Sequence, residues 1–131
     1  MSTIPKLRVA RPSDNLEIVT AQYQNGLGFD VLARFEDHQG FDGVILGKAD
    51  WPYHLEFTSH IGSKVGTAPT KDNLLVFYLS EKARFNNVAN NMISAGFKKV
   101  VSFNPYWDKE GITYEDVDGY RVVLQNCEWS A

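Results

Sequence analysis

The sequence predicts an α+β fold built from two tandem copies of a single βαβββ unit. Three observations point to it. The hydrophobic period changes in the order strand, helix, strand, strand, strand, and then the same order restarts. A linker rich in Gly, Ser, Thr and Pro, residues 61–72, separates the two runs. Finally, equivalent residues recur at a nearly constant offset: Gly28-Phe29 and Gly96-Phe97, Phe35 and Phe103, and Gly43 and Gly111 lie 68 apart, and Tyr53 and Tyr120 lie 67 apart. With 131 residues and 44% apolar content the chain can bury one core. The expectation is therefore one domain over residues 1–131, with unit one at 6–60, the linker at 61–72 and unit two at 73–127.

Each element has a local reason. Lys6 to Arg11 is a short apolar-rich strand, stopped by Pro12. Ser13-Asp14-Asn15 offers a helix N-cap, and Leu16, Val19, Tyr23 and Leu27 then follow at helical spacing until Gly26 and Gly28 stop the helix. Phe29 to Phe35, Phe41 to Leu46 and Tyr53 to Thr58 read as strands, with a polar turn at Glu36 to Gly40. In the second unit Asn73 to Leu79 is a strongly apolar strand, and Ser80-Glu81 opens a helix carrying Phe85, Val88, Met92 and Ile93. Phe97 to Phe103, Gly111 to Glu115 and Tyr120 to Asn126 complete it, the last two joined by a hairpin turn at Asp116 to Gly119.

Composition narrows the partners. A net charge of −3 with scattered charges leaves no basic stripe for nucleic acid. No apolar run approaches the roughly 20 residues that cross a bilayer, and Met1 to Lys6 lacks the apolar region of a signal peptide, so no membrane partner and a cytoplasmic location are expected. A lone Cys127 has no partner for an internal disulfide, in keeping with a reducing compartment.

Strand alternation then assigns faces. In Tyr53 to Thr58 the apolar residues Tyr53, Leu55 and Phe57 cover the helix, while His54, Glu56 and Thr58 look into the concave side of the sheet. By the same reasoning Lys6, Arg8 and Ala10 face the concavity in the first strand. In unit two the facing residues are Leu74, Val76 and Tyr78, with Arg121 and Val123.

Several motifs carry a resemblance: Asn15-Leu16-Glu17 leading to Tyr23 and Gly26-Leu27-Gly28-Phe29, the strand His54-Leu55-Glu56-Phe57, and Glu115-Asp116-Val117-Asp118-Gly119-Tyr120 before the last strand. In this order and spacing the chain resembles the vicinal oxygen chelate superfamily, which includes glyoxalase I, extradiol dioxygenases, fosfomycin-resistance enzymes and bleomycin-resistance proteins. Asn104-Pro105-Tyr106-Trp107 and the Tyr53-to-Thr58 strand are similar to a bacterial branch of glyoxalase-like proteins. The resemblance implies two units curled around a small-molecule cavity, with helices outside, in chains that commonly dimerise and build cavities between subunits.

In metal-dependent members of that superfamily four His, Gln or Glu ligands come from the first and last strands of the units. Carried over by position they fall on Arg8, Glu56, Leu74 and Val123. Only Glu56 has a donor atom suited to a cation; Leu74 and Val123 have none, and Arg8 is itself a cation. The expectation is no metal and no cofactor at these positions. Instead Arg8 pairs with Glu56 and offers its guanidinium to an anionic or carbonyl-bearing ligand, or the two form a structural ion pair. His54 either shares a cation with Glu56, with His38 or His60 nearby, or is a hydrogen-bonded rim residue. Arg121 is a second anion contact or a rim charge. Trp51, Tyr78, Tyr106 and Trp107 are walls for a flat ligand or an interface between subunits, and Glu110 or Glu115 could serve as acid or base. The reading is a metal-independent small-molecule-binding homodimer whose ligand-binding residues are Arg8, His54, Glu56, Leu74, Tyr78, Trp107, Arg121 and Val123. The alternative is a glyoxalase-type lyase or isomerase, or a dioxygenase-like enzyme, with Glu56 as catalytic base or ligand. A third class, an interaction domain with a collapsed cavity, would bury Arg8 and Glu56 without a use.

Overall fold

The computed structural model describes residues 4–130; residues 1–3 and 131, part of the expected domain, lie outside them. In chain order the elements are β1 Leu7–Pro12, α1 Leu16–Leu27, β2 Asp30–His38, β3 Phe41–Gly47 and β4 Tyr53–His60, then β5 Leu74–Tyr78, α2 Lys82–Ser94, β6 Lys98–Val100, β7 Gly111–Glu115 and β8 Arg121–Gln125. They form two four-stranded mixed sheets, in the orders β1-β4-β3-β2 and β5-β8-β7-β6. The predicted pair of βαβββ units is thus present, each with its first strand parallel to its last. No helix among the described residues is long and apolar enough to cross a membrane.

The two units share one core. Val44, Leu46, Leu55 and Phe57 of the first sheet and Tyr114, Val122 and Leu124 of the second pack in a single cluster with Val19 and Tyr23 of α1 and Phe85 and Met92 of α2. α1 closes tightly on its neighbours because Gly26 has no side chain: a Cβ there would stand 2.9 Å from Met92 Sδ and 2.9 Å from the Phe97 ring. Gly28, in the left-handed region at φ 75°, ends α1, and its N–H donates to Gln24 O at 3.0 Å. At the other end Asn15 makes no side-chain cap. Its Nδ2 instead donates to Asp118 Oδ1 at 2.9 Å, which ties the start of α1 to the last hairpin turn of the other unit.

Tyr23, fully buried, is the central polar handle of this core. Its hydroxyl donates to Asp116 Oδ2 at 2.7 Å, while Asp116 Oδ1 accepts the N–H groups of Asp118 and Tyr120 and so sets the β7–β8 turn. Burial pushes the Asp116 carboxyl above its ordinary pKa, against the downward pull of the Tyr23 hydrogen bond.

Asp14 fastens the linker. Its carboxylate accepts from Val65 N at 3.0 Å and Gly66 N at 2.8 Å, and these two bonds hold its pKa below the ordinary value of 3.8. A carboxylate whose folded pKa is depressed stabilises the fold above 3.8 and loses that contribution as pH falls through the lower folded value. Amide protection at Val65 and Gly66 is therefore expected at pH near neutrality and lost in strong acid. In Asp14→Ala it is lost at neutral pH too, and trypsin cuts faster at the exposed Lys64. Unchanged cleavage would mean that other contacts hold the linker.

Candidate functional site

The helix-free face of the first sheet carries the Arg8 cluster. The β1–β4 register sets Arg8 beside His54 and Ala10 beside Glu56. Arg8 Nη1 donates to Glu56 Oε1 at 3.0 Å, and Arg8 Nε donates to His54 Nδ1 at 3.2 Å. The second bond makes Nδ1 an acceptor and leaves the ring proton on Nε2. The pair is unevenly exposed: the Arg8 side chain is 46% accessible and that of Glu56 16%. Arg8 Nη2 and Glu56 Oε2 make no hydrogen bond among the described residues. The result is a guanidinium oriented by two acceptors on a half-exposed side chain.

The equivalent face of the second sheet is closed. Here Leu74 pairs with Arg121 and Val76 with Val123, so Arg121 occupies the position of His54 and Val123 that of Glu56. Val123 is fully buried, and Arg121 is only 6% exposed. What covers them is residues 101–108 of the chain itself. Arg121 Nη1 donates to Val101 O at 3.2 Å, the Ser102 and Thr113 hydroxyls meet at 3.2 Å, and Gln125 Nε2 donates to Trp107 O at 3.0 Å. Arg121 Nε also pairs with Glu115 Oε2 at 3.1 Å. Arg121 is thus a buried anchor and neither a rim charge nor an open anion contact.

This cover explains why the sixth strand is short. The expected strand Phe97 to Phe103 pairs only over Lys98–Val100. Beyond it the Val101 carbonyl turns to Arg121, Asp108 accepts the Ser102 N–H, and Asn104 Oδ1 accepts from Tyr106 N to start a 3-10 turn at Pro105. Phe103 is consequently 69% exposed, whereas its counterpart Phe35 lies over Gly43. At Gly111 the amide of Gln125 and the Leu124 carbonyl occupy the space that the Phe35 ring occupies at Gly43. The two glycines match in sequence and in closeness of approach, though different neighbours press on them.

Residues 7–58 match the YycE-like N-terminal domain and residues 72–126 the YycE-like C-terminal domain. The chain belongs to the YycE-like family. The YycE protein of Bacillus subtilis (strain 168) is 37% identical to it over 123 residues, which cover 94% of this chain and 88% of that protein. A 2.0 Å crystal structure of a Bacillus subtilis YycE protein of unknown function superimposes with a TM-score of 0.89 at 35% identity, covering 98% of this chain and 93% of that one. More distant chains share the fold. Glyoxalase I of Leishmania major has a TM-score of 0.71 at 17% identity, covering 93% and 86% of the two chains. The fosfomycin-resistance protein FosX of Listeria monocytogenes, in a mutant form complexed with Mn(II) and a dihydroxypropylphosphonic acid, has a TM-score of 0.71 at 12% identity, covering 96% and 94%. The fold expected from the resemblance to the vicinal oxygen chelate superfamily is borne out.

Within this YycE-like chain, Arg8, His54 and Glu56 converge as one cluster, while Leu74, Tyr78, Trp107, Arg121 and Val123 belong to the second unit. Tyr78 is 42% exposed at the end of β5, and Trp107 is half-buried beside Tyr106, their rings edge to face at 5.0 Å. Trp51 sits elsewhere: it stacks on Tyr53 at 5.4 Å on the helix side of the sheet, away from Arg8, because Tyr53 and His54 point to opposite faces. His60 bonds Ser63 at 2.7 Å and packs on Phe41, and among the described residues no three His, Cys, Asp or Glu side chains converge on a metal position. Sequence reasoning passed over Thr113, Gln125 and Ser102, which hold the cover. The signal was Gln125 itself, on the same face as Arg121 and Val123 by alternation.

Proposed function

We propose that the chain binds a small anionic or carbonyl-bearing molecule on the helix-free face of the first sheet, through Arg8 and without a metal. One observation carries the reading: the Arg8 guanidinium is held by His54 and Glu56, its Nη2 makes no hydrogen bond among the described residues, and the side chain is half-exposed. A fixed, planar donor pair of this kind suits a carboxylate, a phosphonate or a polarised carbonyl. Metal independence is supported by the chemistry of the four positions that align with metal ligands in the superfamily, since Arg8, Leu74 and Val123 supply no donor and Arg8 puts a positive charge beside Glu56. A homodimer fits the asymmetry between units. The first sheet's face is open, and the second unit exposes the apolar side chains of Val101, Phe103 and Tyr106, which a second copy would bury.

Arg8→Ala is expected to remove the thermal shift that the wild type gives with an anionic metabolite in a screen, while changing stability by at most about 1 kcal/mol, the usual range for a half-exposed ion pair. Loss of stability with the ligand response retained would make the pair structural. Stoichiometric zinc, manganese, nickel or iron in the purified protein would overturn metal independence, and a monomer by light scattering would overturn the dimer. The unengaged Oε2 of Glu56 favours a second reading, a lyase or isomerase in which that carboxylate takes a proton next to a carbonyl held on Arg8. Glu56→Gln would then bind substrate and not turn it over.

A further inference from the structure

A second cavity lies on the opposite side of β4 from the Arg8 cluster, at the seam between the two units. It measures about 240 Å³ and is lined by Leu27, Phe29, Trp51, Tyr53, Phe77 and Val88, with Arg84 of α2 at its edge. We propose that this cavity binds a one-ring aromatic carboxylate, the ring held against the four aromatic side chains and the carboxylate on Arg84.

Four aromatic rings line the space, packed on one another in the geometries that aromatic groups favour. Trp51 stacks on Tyr53 with centroids 5.4 Å apart, Phe29 meets Trp51 edge to face at 5.5 Å, and Phe77 lies 6.3 Å from Tyr53. A flat ring laid against these packed rings gains both apolar burial and aromatic contact. Size sets an upper limit. The volume is below the roughly 300 Å³ at which pockets for drug-sized ligands begin, so a single ring fits and a dinucleotide or peptide does not.

Charge determines the other end of the ligand. Arg84 forms no ion pair among the described residues, in contrast to Arg8, Arg34 and Arg121. Its charge reaches the cavity wall: burial pushes the Tyr53 hydroxyl above its ordinary pKa, and Arg84 pulls it back down. An apolar pocket with one unpaired cation at its edge favours an amphipathic anion.

The opposite seam also holds a cavity, of about 600 Å³, and differs from the first in its lining. There Gln22 of α1 bridges the units, its Nε2 donating to Gly96 O at 3.0 Å and its Oε1 accepting from Val117 N at 2.9 Å. Ala95 stands in that seam where Leu27 stands in the first. Among the described residues no hydrogen bond joins the units where Trp51 faces Phe77 and Val88. One seam is bridged by polar groups, and the other is lined with rings.

The test is a titration of isotopically labelled protein with benzoate, followed by NMR at the Trp51 indole N–H and the Val88 methyls. Saturable shifts confined to this seam are expected in the wild type and, with the same affinity, in Arg8→Ala. Arg84→Gln should bind about tenfold more weakly, the loss of one charge-assisted contact, and benzyl alcohol should bind the wild type as weakly as benzoate binds that variant. Val88→Trp, shown to be folded by circular dichroism, should bind neither. Absence of saturable shifts at the seam, undiminished affinity in Arg84→Gln or in folded Val88→Trp, or shifts confined to the Arg8 face would each overturn the proposal. The last of these would support the Arg8 site instead.

Discussion

Tyr23→Ala is expected to lower stability by about 3–5 kcal/mol in urea denaturation, the range for removing a fully buried aromatic ring. The size of the effect follows from where the ring sits. Its centroid is 5.0 Å from that of Phe57 and 5.3 Å from that of Phe97, so one side chain from α1 packs against both units. The cavity left by Ala would open in the shared core, where neither sheet can close over it without moving the other. Tyr23→Phe separates the polar share. It keeps the ring but leaves Asp116 Oδ2 without the hydroxyl, a loss of about 1–3 kcal/mol for an unsatisfied buried acceptor. A loss in Tyr23→Ala no larger than that in Tyr23→Phe would place the stabilisation in the hydroxyl and not in the ring.

The second large effect concerns the buried cation under residues 101–108. Glu115→Ala leaves the Arg121 guanidinium, 7% accessible, with only the Val101 carbonyl, and should destabilise the chain by about 3 kcal/mol. Arg121→Met should cost less, because Glu115 is 28% accessible and can be hydrated once its partner is gone. In the double variant no buried charge remains, so its loss should be smaller than the sum of the two single losses. Chymotrypsin provides an independent measure, since both single variants release the Val101 anchor or weaken it and expose the Phe103 and Tyr106 peptide bonds to attack. Additive losses in the double-mutant cycle would show that Glu115 and Arg121 are not coupled.

Much of this was legible in the sequence, for reasons that differ by element. Local periodicity, helix stops at Gly28 and Gly96, and the 68-residue offset predicted both units, because these signals depend on neighbours within a few residues. Alternation along Lys6 to Arg11 and Tyr53 to Thr58 likewise put Arg8, His54 and Glu56 on one face, and the parallel β1–β4 register brings them into contact. What the sequence hid was long-range. Phe97 to Phe103 has strand composition throughout, yet a guanidinium 20 residues away takes the Val101 carbonyl and ends the pairing. Asn15 has the chemistry of an N-cap but bonds a turn 103 residues distant, and Trp51 looks like a wall of the Arg8 site until the alternation at Tyr53 and His54 places it on the other side of the sheet. In each case a tertiary partner overrode a sound local preference.

The self-filled face of the second unit also bears on how such a chain can diversify. A duplicated module begins with two equal seats for a guest, and here one has been given to the chain's own backbone through Arg121, Thr113 and Gln125. Substitutions there are read as stability, because each disturbs the lid before it can meet a guest. Substitutions around Arg8 disturb little else. The covered face of the second unit should therefore tolerate fewer substitutions than the exposed surroundings of Arg8.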